Sequence, residues 1–504
     1  MKRQRNGFGP LLGGLLGGVL SLLLPAAPAA AVEKILVRIP LLDTSFNLQV
    51  SELESPDALR RGDSDLAELD RASNGALGRQ LLALLNRPVP LSLTQVADGS
   101  VGSPLLEQAL LVLSSFGQVE GRPPDLSGET LRLALQKASR NGQPTLLSLI
   151  QAIPGERVTL DLGQARAVAL RMAAQRQQAE RLISSLPAAP VAQPRVPPAS
   201  VAQTTVRLPV AHRPEPLELR VLAPQAGGNG RLVLISHGLW DGPGSFIGWG
   251  QLLASHGYTV ILPRHPGSDQ SQQQAVLSGT APPPDPKELA LRPKDLAAVI
   301  DGIGQLGLSA APDNQRVVVL GHSWGATTTL QLAGVRPTDA ELRERCGKLN
   351  DPDRNLSWTL QCSWLRGVDQ AGIQDRRVIA VGAVSPPVSL LFPRGSGLGL
   401  SGRVLLVSGS RDWVVPPDPE AVEPMRGGKP LGNQLVLVQG GDHFNLRPGA
   451  SADGGVLGPL LLSWTNAAFA AGDAARPAAG AAPLLRQGPW GNQGMPLVDA
   501  TPGL

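Results

Sequence analysis

Cysteine and histidine are scarce in this 504-residue chain, at two and six, and the two cysteines lie far from any His at metal-ligand spacing. No His, Cys or Asp group has the spacing of metal ligands, so no metal and no cofactor is expected. Charge is also thin, at 17% of residues, below the usual share for a soluble domain. No basic run or basic-aromatic patch occurs, which argues against nucleic acid as a partner. The sequence pI of about 9.4 does not change this. Lys2, Arg3 and Arg5 lie in a segment expected to be removed, and without them 45 basic residues become 42, against 41 acidic. Long apolar runs are missing too. The one stretch near spanning length, residues 11–24, is short and glycine-rich for a membrane helix. What the chain does have is glycine (58) and proline (47), which imply long loops in a protein large enough for two or more domains.

The N-terminus starts with basic residues, continues through that apolar stretch and ends in Pro25-Ala-Ala-Pro-Ala-Ala-Ala31. These are the parts of a secretory signal peptide, residues 1–31. Cleavage near Ala31 and export to a periplasmic or extracellular space are expected; retention as an anchor is the alternative. In an oxidising compartment Cys346 and Cys362 are expected to form a disulfide.

Residues 32–185 read mainly as helices after a strand-like piece at 35–39, with apolar residues at helical spacing and an amphipathic stretch at 166–182. The spaced prolines of 186–203 favour an extended linker. Beyond it, 204–466 alternates strands and helices. Residues 205–210 and 218–222 suggest an opening hairpin. Six short apolar runs follow, at 232–235, 259–262, 317–320, 378–381, 404–407 and 435–438. Such runs with helical crossovers predict an α/β fold, a mostly parallel sheet covered by helices on both faces. From 467 to 504 Ala, Gly and Pro dominate, and a poorly ordered tail is expected.

Gly321-His322-Ser323-Trp324-Gly325 carries the chemistry. It follows the run at 317–320 and precedes a helix-like stretch, the setting in which G-x-S-x-G presents a nucleophilic serine on a sharp turn. A serine hydroxyl needs an imidazole to take its proton, and the imidazole needs a carboxylate to fix its tautomer. Of six histidines, His443 alone follows Ser323 in the chain, as the order Ser, acid, His requires. Asp412, just after the run at 404–407, is the expected acid; Asp442 adjoins His443 and should face elsewhere. The backbone N–H groups of Trp324 and of Leu239, after Gly238, are the expected oxyanion donors. His237 is expected to brace that loop.

Together with Ser236-His237-Gly238-Leu239, His265-Pro-Gly-Ser-Asp269, Gly409-Ser-Arg-Asp412 and Asp442-His443, this motif resembles the α/β-hydrolase superfamily over residues 204–465. More narrowly it is similar to platelet-activating-factor acetylhydrolase and dienelactone-hydrolase-like proteins, departing at Trp324 and Ala326, where acetylhydrolases of that type usually carry Phe and Gly. The N-terminal part resembles a domain of unknown function found ahead of such hydrolases in cyanobacteria. The resemblance implies a metal-independent serine esterase working through an acyl-enzyme on small ester or phospholipid-like substrates, with at most transient contact with a membrane surface. In this fold an insertion such as 337–375, which holds both cysteines, commonly caps the pocket. A polyester depolymerase or lactonase with the same triad is the alternative, and a non-catalytic binding protein is the alternative of another class.

Overall fold

The computed structural model describes residues 31–39, 44–89, 92–192, 200–392 and 400–504. The expected signal peptide before Ala31 and residues 193–199 of the linker lie outside them. Two sheets organise the described chain. The first has four strands: β1 (Lys34–Ile39), β2 (Thr44–Gln49), β3 (Gly117–Val119) and β4 (Arg157–Asp161), in the order β2-β1-β4-β3. Only β1 was legible as a strand. β2 reads Thr-Ser-Phe-Asn-Leu-Gln and β3 has three residues, too polar or too short to stand out. Helices make up most of the rest. Several start where a side-chain oxygen takes a free N–H, as Ser55, Ser64, Ser103, Thr145 and Asp161 do, each worth about 1 kcal/mol. Val32, Leu53, Leu59, Leu66 and Leu82 form their shared core.

The second sheet has nine strands: β5 (Val201–Leu208), β6 (Leu217–Pro224), β7 (Arg231–Ser236), β8 (Thr259–Pro263), β9 (Asp313–His322), β10 (Val378–Val384), β11 (Arg403–Gly409), β12 (Gln434–Val438) and β13 (Leu497–Asp499). Their order is β13-β12-β11-β10-β9-β7-β8-β6-β5. The six strands from β7 to β12 run parallel; the β5–β6 hairpin and β13 are antiparallel to their neighbours. Every residue of β8, β10, β11 and β12 is buried, because helices cover both faces and the sheet has an apolar core on each side. Burial of each Val or Leu contributes about 1.5–3 kcal/mol. The chain goes from β7 outward to β8 and then returns to β9 on the other side. The carboxyl ends of β7 and β9 therefore flank the switch point at which such sheets bind ligands.

Residues 467–504 are not the poorly ordered tail that their composition suggests. The helix Gly458–Ala471 runs into them, and Leu485, Trp490, Leu497 and Val498 are buried. β13 pairs with β12 through Val436↔Asp499 and Val438↔Leu497. The described start of the expected linker does not run free: Ala189 N–H donates to Leu497 O (2.8 Å) and Ala192 N–H to Gly491 O (2.9 Å). Few apolar residues are needed here because β12 supplies the template.

The N-terminal part docks on the larger one. Ala179 and Ile183 of the helix Leu162–Ser184 enter its core, and Gln175 and Arg171 donate to the carbonyls of Asp353 and Arg354. The helix Pro104–Ser114 lies against Ser357–Ser363, and Ser92–Ser100 against Gln270–Leu277. Among the described residues no helix is long and apolar enough to cross a membrane.

Candidate active site

Ser323 follows β9 directly and precedes the helix Trp324–Leu332. Its backbone is held at φ 55°, ψ −126°, a conformation that a non-glycine residue adopts only when its surroundings impose it. They do so here. Ser323 N–H donates to Val384 O (2.9 Å), while Ala326 and Thr327 N–H donate to its carbonyl. The flanking glycines are sterically required: a Cβ on Gly321 would lie 2.4 Å from Gly325 O, and one on Gly325 would lie 2.1 Å from Ser236 O.

His443 and Asp412 meet. His443 Nδ1 lies 3.0 Å from Asp412 Oδ2, and both residues are buried. Asp412 Oδ1 accepts the N–H groups of Val414 and Val415 (3.0 and 2.8 Å), so the carboxylate is fixed by its own loop. With Nδ1 donating to Asp412, Nε2 is the free basic nitrogen. Asp442 does not compete. Its Oδ1 accepts from Phe444 and Asn445 N–H and braces the turn that carries His443. His322, next to Ser323, holds the histidine loop against the serine turn. Its Nε2 donates to His443 O at 2.9 Å, and the two rings are 4.7 Å apart. Burial, then the charges of His443 and Arg447, push His322 well below its ordinary value, so it is neutral. Among the described residues Ser323 Oγ has no hydrogen-bond partner; catalytic hydrogen bonds are often loose until substrate arrives.

The loop after β7 passes beside the serine. A Cβ on Gly238 would lie 3.1 Å from Ser323 Cβ. The N–H groups of Leu239 and Trp324 have no backbone acceptor among the described residues. His237 braces this loop, as expected: Nδ1 donates to Gly238 O (2.8 Å) and Nε2 accepts His265 N–H (3.1 Å).

Beneath the loop lies a buried charge network that sequence reading missed. Arg213 donates two bonds each to Glu288 (2.7 and 2.9 Å) and Asp295 (2.9 and 2.7 Å). Asp295 also meets His212 Nε2 (2.7 Å) and His265 Nδ1 (2.8 Å), and His265 Nε2 meets Ser236 Oγ (2.9 Å). Burial opposes ionisation of Asp295, but bonds from His212, His265 and Arg213 outweigh it and keep the carboxyl below its usual range. Burial and then the Arg292 charge push His265 down to about 4. Ser236, His265 and Asp295 thus repeat the bonding of a catalytic triad, but Ser236 and His265 are sealed from solvent and serve as a brace. The available signal was spacing: Glu288, Arg292 and Asp295 at i, i+4 and i+7 share one face of the helix Glu288–Asp301. Such a face ordinarily reads as solvated.

The cysteines form the expected disulfide, Cys346–Cys362, in the insertion between Trp324–Leu332 and β10. The insertion reaches the site through Trp364, whose ring lies 5.0 Å from that of Trp324. It is anchored by Glu420, which accepts from Ser357, Asn355 and Gln361. On the open side Trp413 and Phe444, half exposed, flank Asp412 and His443.

Two family models match the chain. One, the alpha/beta hydrolase fold, covers residues 231–343, which contain Leu239, Ser323 and Trp324. The other, an alpha/beta hydrolase of unknown function (DUF1400), covers residues 31–161. A comparison with curated proteins finds no match. Strand order and these matches agree on an α/β-hydrolase fold preceded by a domain similar to that of the second family.

Proposed function

We propose that this α/β-hydrolase-fold protein is a serine hydrolase of carboxylic esters that works through an acyl-enzyme. The observation that carries the reading is the buried His443–Asp412 pair at 3.0 Å, held by His322 against the strained turn of Ser323. Ser323 Oγ attacks the ester carbonyl carbon as His443 Nε2 takes its proton. Asp412 fixes the tautomer and stabilises the imidazolium. Leu239 and Trp324 N–H groups receive the oxyanion. Collapse expels the alcohol, which takes the proton from His443; water then repeats the sequence and releases the acid. Half-exposed Trp413 and Phe444 beside the pair favour an apolar acyl or alkyl group, as in a short-acyl phospholipid. The Cys346–Cys362 bridge supports export to an oxidising compartment.

A fluorophosphonate probe tests the reading: wild-type protein should be labelled at Ser323, and Ser323→Ala should be both unlabelled and inactive. Folded wild-type protein that stays unlabelled would favour a non-catalytic binder. Rates on p-nitrophenyl esters from acetate to palmitate would then set the acyl length.

A further inference from the structure

We propose that Arg292 positions both donors of the oxyanion site; this rests on the reading that Ser323 is the nucleophile and that Leu239 and Trp324 serve its oxyanion. Arg292 is fully buried in the helix Glu288–Asp301. Its Nη2 donates to His237 O at 2.8 Å and to Gly238 O at 3.2 Å. Its guanidinium carbon stands 4.8 Å over the Trp324 ring. One side chain therefore grips the loop after β7 and the first residue of the helix after Ser323, the two elements that supply the donors.

Peptide geometry turns that grip into aim. Gly238 O accepts twice, from Arg292 Nη2 and from His237 Nδ1–H. The proton is on Nδ1 because His237 Nε2 accepts His265 N–H. The 3.2 Å approach of Arg292 Nη2 to that Nδ1 is thus a contact between two donors and not a bond. In a trans peptide the C=O and the following N–H point opposite ways, and no peptide bond in the described chain is cis. With its carbonyl pinned on the Arg292 side, the Gly238–Leu239 peptide directs the Leu239 N–H away from Arg292, along a loop that runs against Ser323.

Stability alone gives a poor reason for this arginine. Its Nε and Nη1 have no partner among the described residues, and burial lowers the guanidinium to about 9. A buried, half-satisfied cation costs stability that an apolar residue of similar volume would not. Glu288 and Asp295 keep it charged through space, but their direct side-chain bonds go to Arg213 and, from Asp295, to His212 and His265 as well.

The test compares Arg292→Met and Arg292→Lys with wild type on a p-nitrophenyl ester and against a trifluoromethyl ketone, which mimics the tetrahedral adduct. Arg292→Met should fold, with an unchanged or higher Tm, while kcat falls about 100-fold, the scale of a misplaced reacting group. KM should stay within about threefold, and the ketone Ki should rise by the same factor as kcat falls. Arg292→Lys should fall between the two, since an ammonium cannot hold both carbonyls and stack on the indole. Wild-type kcat and Ki in folded Arg292→Met would overturn the proposal, as would a change confined to KM. If Arg292→Met does not fold, the Ki of Arg292→Lys decides in the same way. Wild-type protein that fails to label with fluorophosphonate would remove the premise, an outcome distinct from a labelled, active enzyme indifferent to Arg292.

Discussion

The Ser323 turn tolerates its strain because Gly321 and Gly325, on either side of it, bring no side chain. Gly325→Ala would place a methyl 2.1 Å from Ser236 O, and neither backbone can retreat without moving β7. We expect Gly325→Ala to lower both the yield of folded protein and the Tm, checked by thermal unfolding; a wild-type Tm would mean that the turn can relax. Ser323→Ala should leave the Tm close to wild type, since it removes one oxygen. The two carboxylates near His443 separate by their partners. Asp412→Asn should lower kcat by about 10^4-fold, because the amide favours the wrong imidazole tautomer. Asp442→Asn should have little effect, since its Oδ1 can still accept the turn N–H groups of Phe444 and Asn445. If Asp442→Asn is the more damaging of the two, the acid is misassigned.

Among the elements, the insertion bridged by Cys346 and Cys362 is the one that the proposed function gives a part in substrate choice. The bridge closes a loop of sequence separation 16, worth about 3 kcal/mol of chain entropy. The sheet does not depend on it, whereas Trp364 depends on the placement of the insertion. Cys346→Ser should therefore raise KM for bulky esters more than for acetate, as Michaelis kinetics on both will show; equal effects would deny the insertion a part in selection. The larger sheet was readable from sequence because buried parallel strands are continuous apolar runs between turns. All six runs lie in β7 to β12. Ser323, Asp412 and His443 stood out as candidates because each follows such a run. β2, β3 and β13 were not, since strands that borrow their pairing from a neighbour need little apolar pattern of their own. Arg213 and Arg292 were hidden for a related reason: a charge that is buried against a partner distant in sequence has no local mark.

For the molecule as a whole, the buried histidines set an acid limit. Burial leads in holding His237, His265 and His322 below their ordinary 6.5, His265 at about 4. Below pH 6.5 the unfolded chain binds protons that the folded one refuses. Stability is therefore full above that pH and declines as pH falls toward about 4. The Tm should drop steadily between pH 7 and 5 in a calorimetric scan; a flat Tm would contradict the burial of these rings as neutral groups. Activity should persist in EDTA, since in the proposed mechanism backbone N–H groups serve the oxyanion; restoration by zinc or calcium of activity lost in EDTA would refute this.

The pairing of β13 on β12 matters most while the protein is being made. β12 is an apolar strand, Gln434-Leu-Val-Leu-Val438, and one flank of its backbone is covered by residues that leave the ribosome some sixty positions later. Until then that flank is an open template for any passing strand, including the same strand of another nascent chain. A chain cut after residue 466 would keep Ser323, Asp412 and His443 and lose the cover. It should accumulate as aggregates, visible by light scattering, with its soluble fraction rescued by supplying residues 467–504 as a separate peptide.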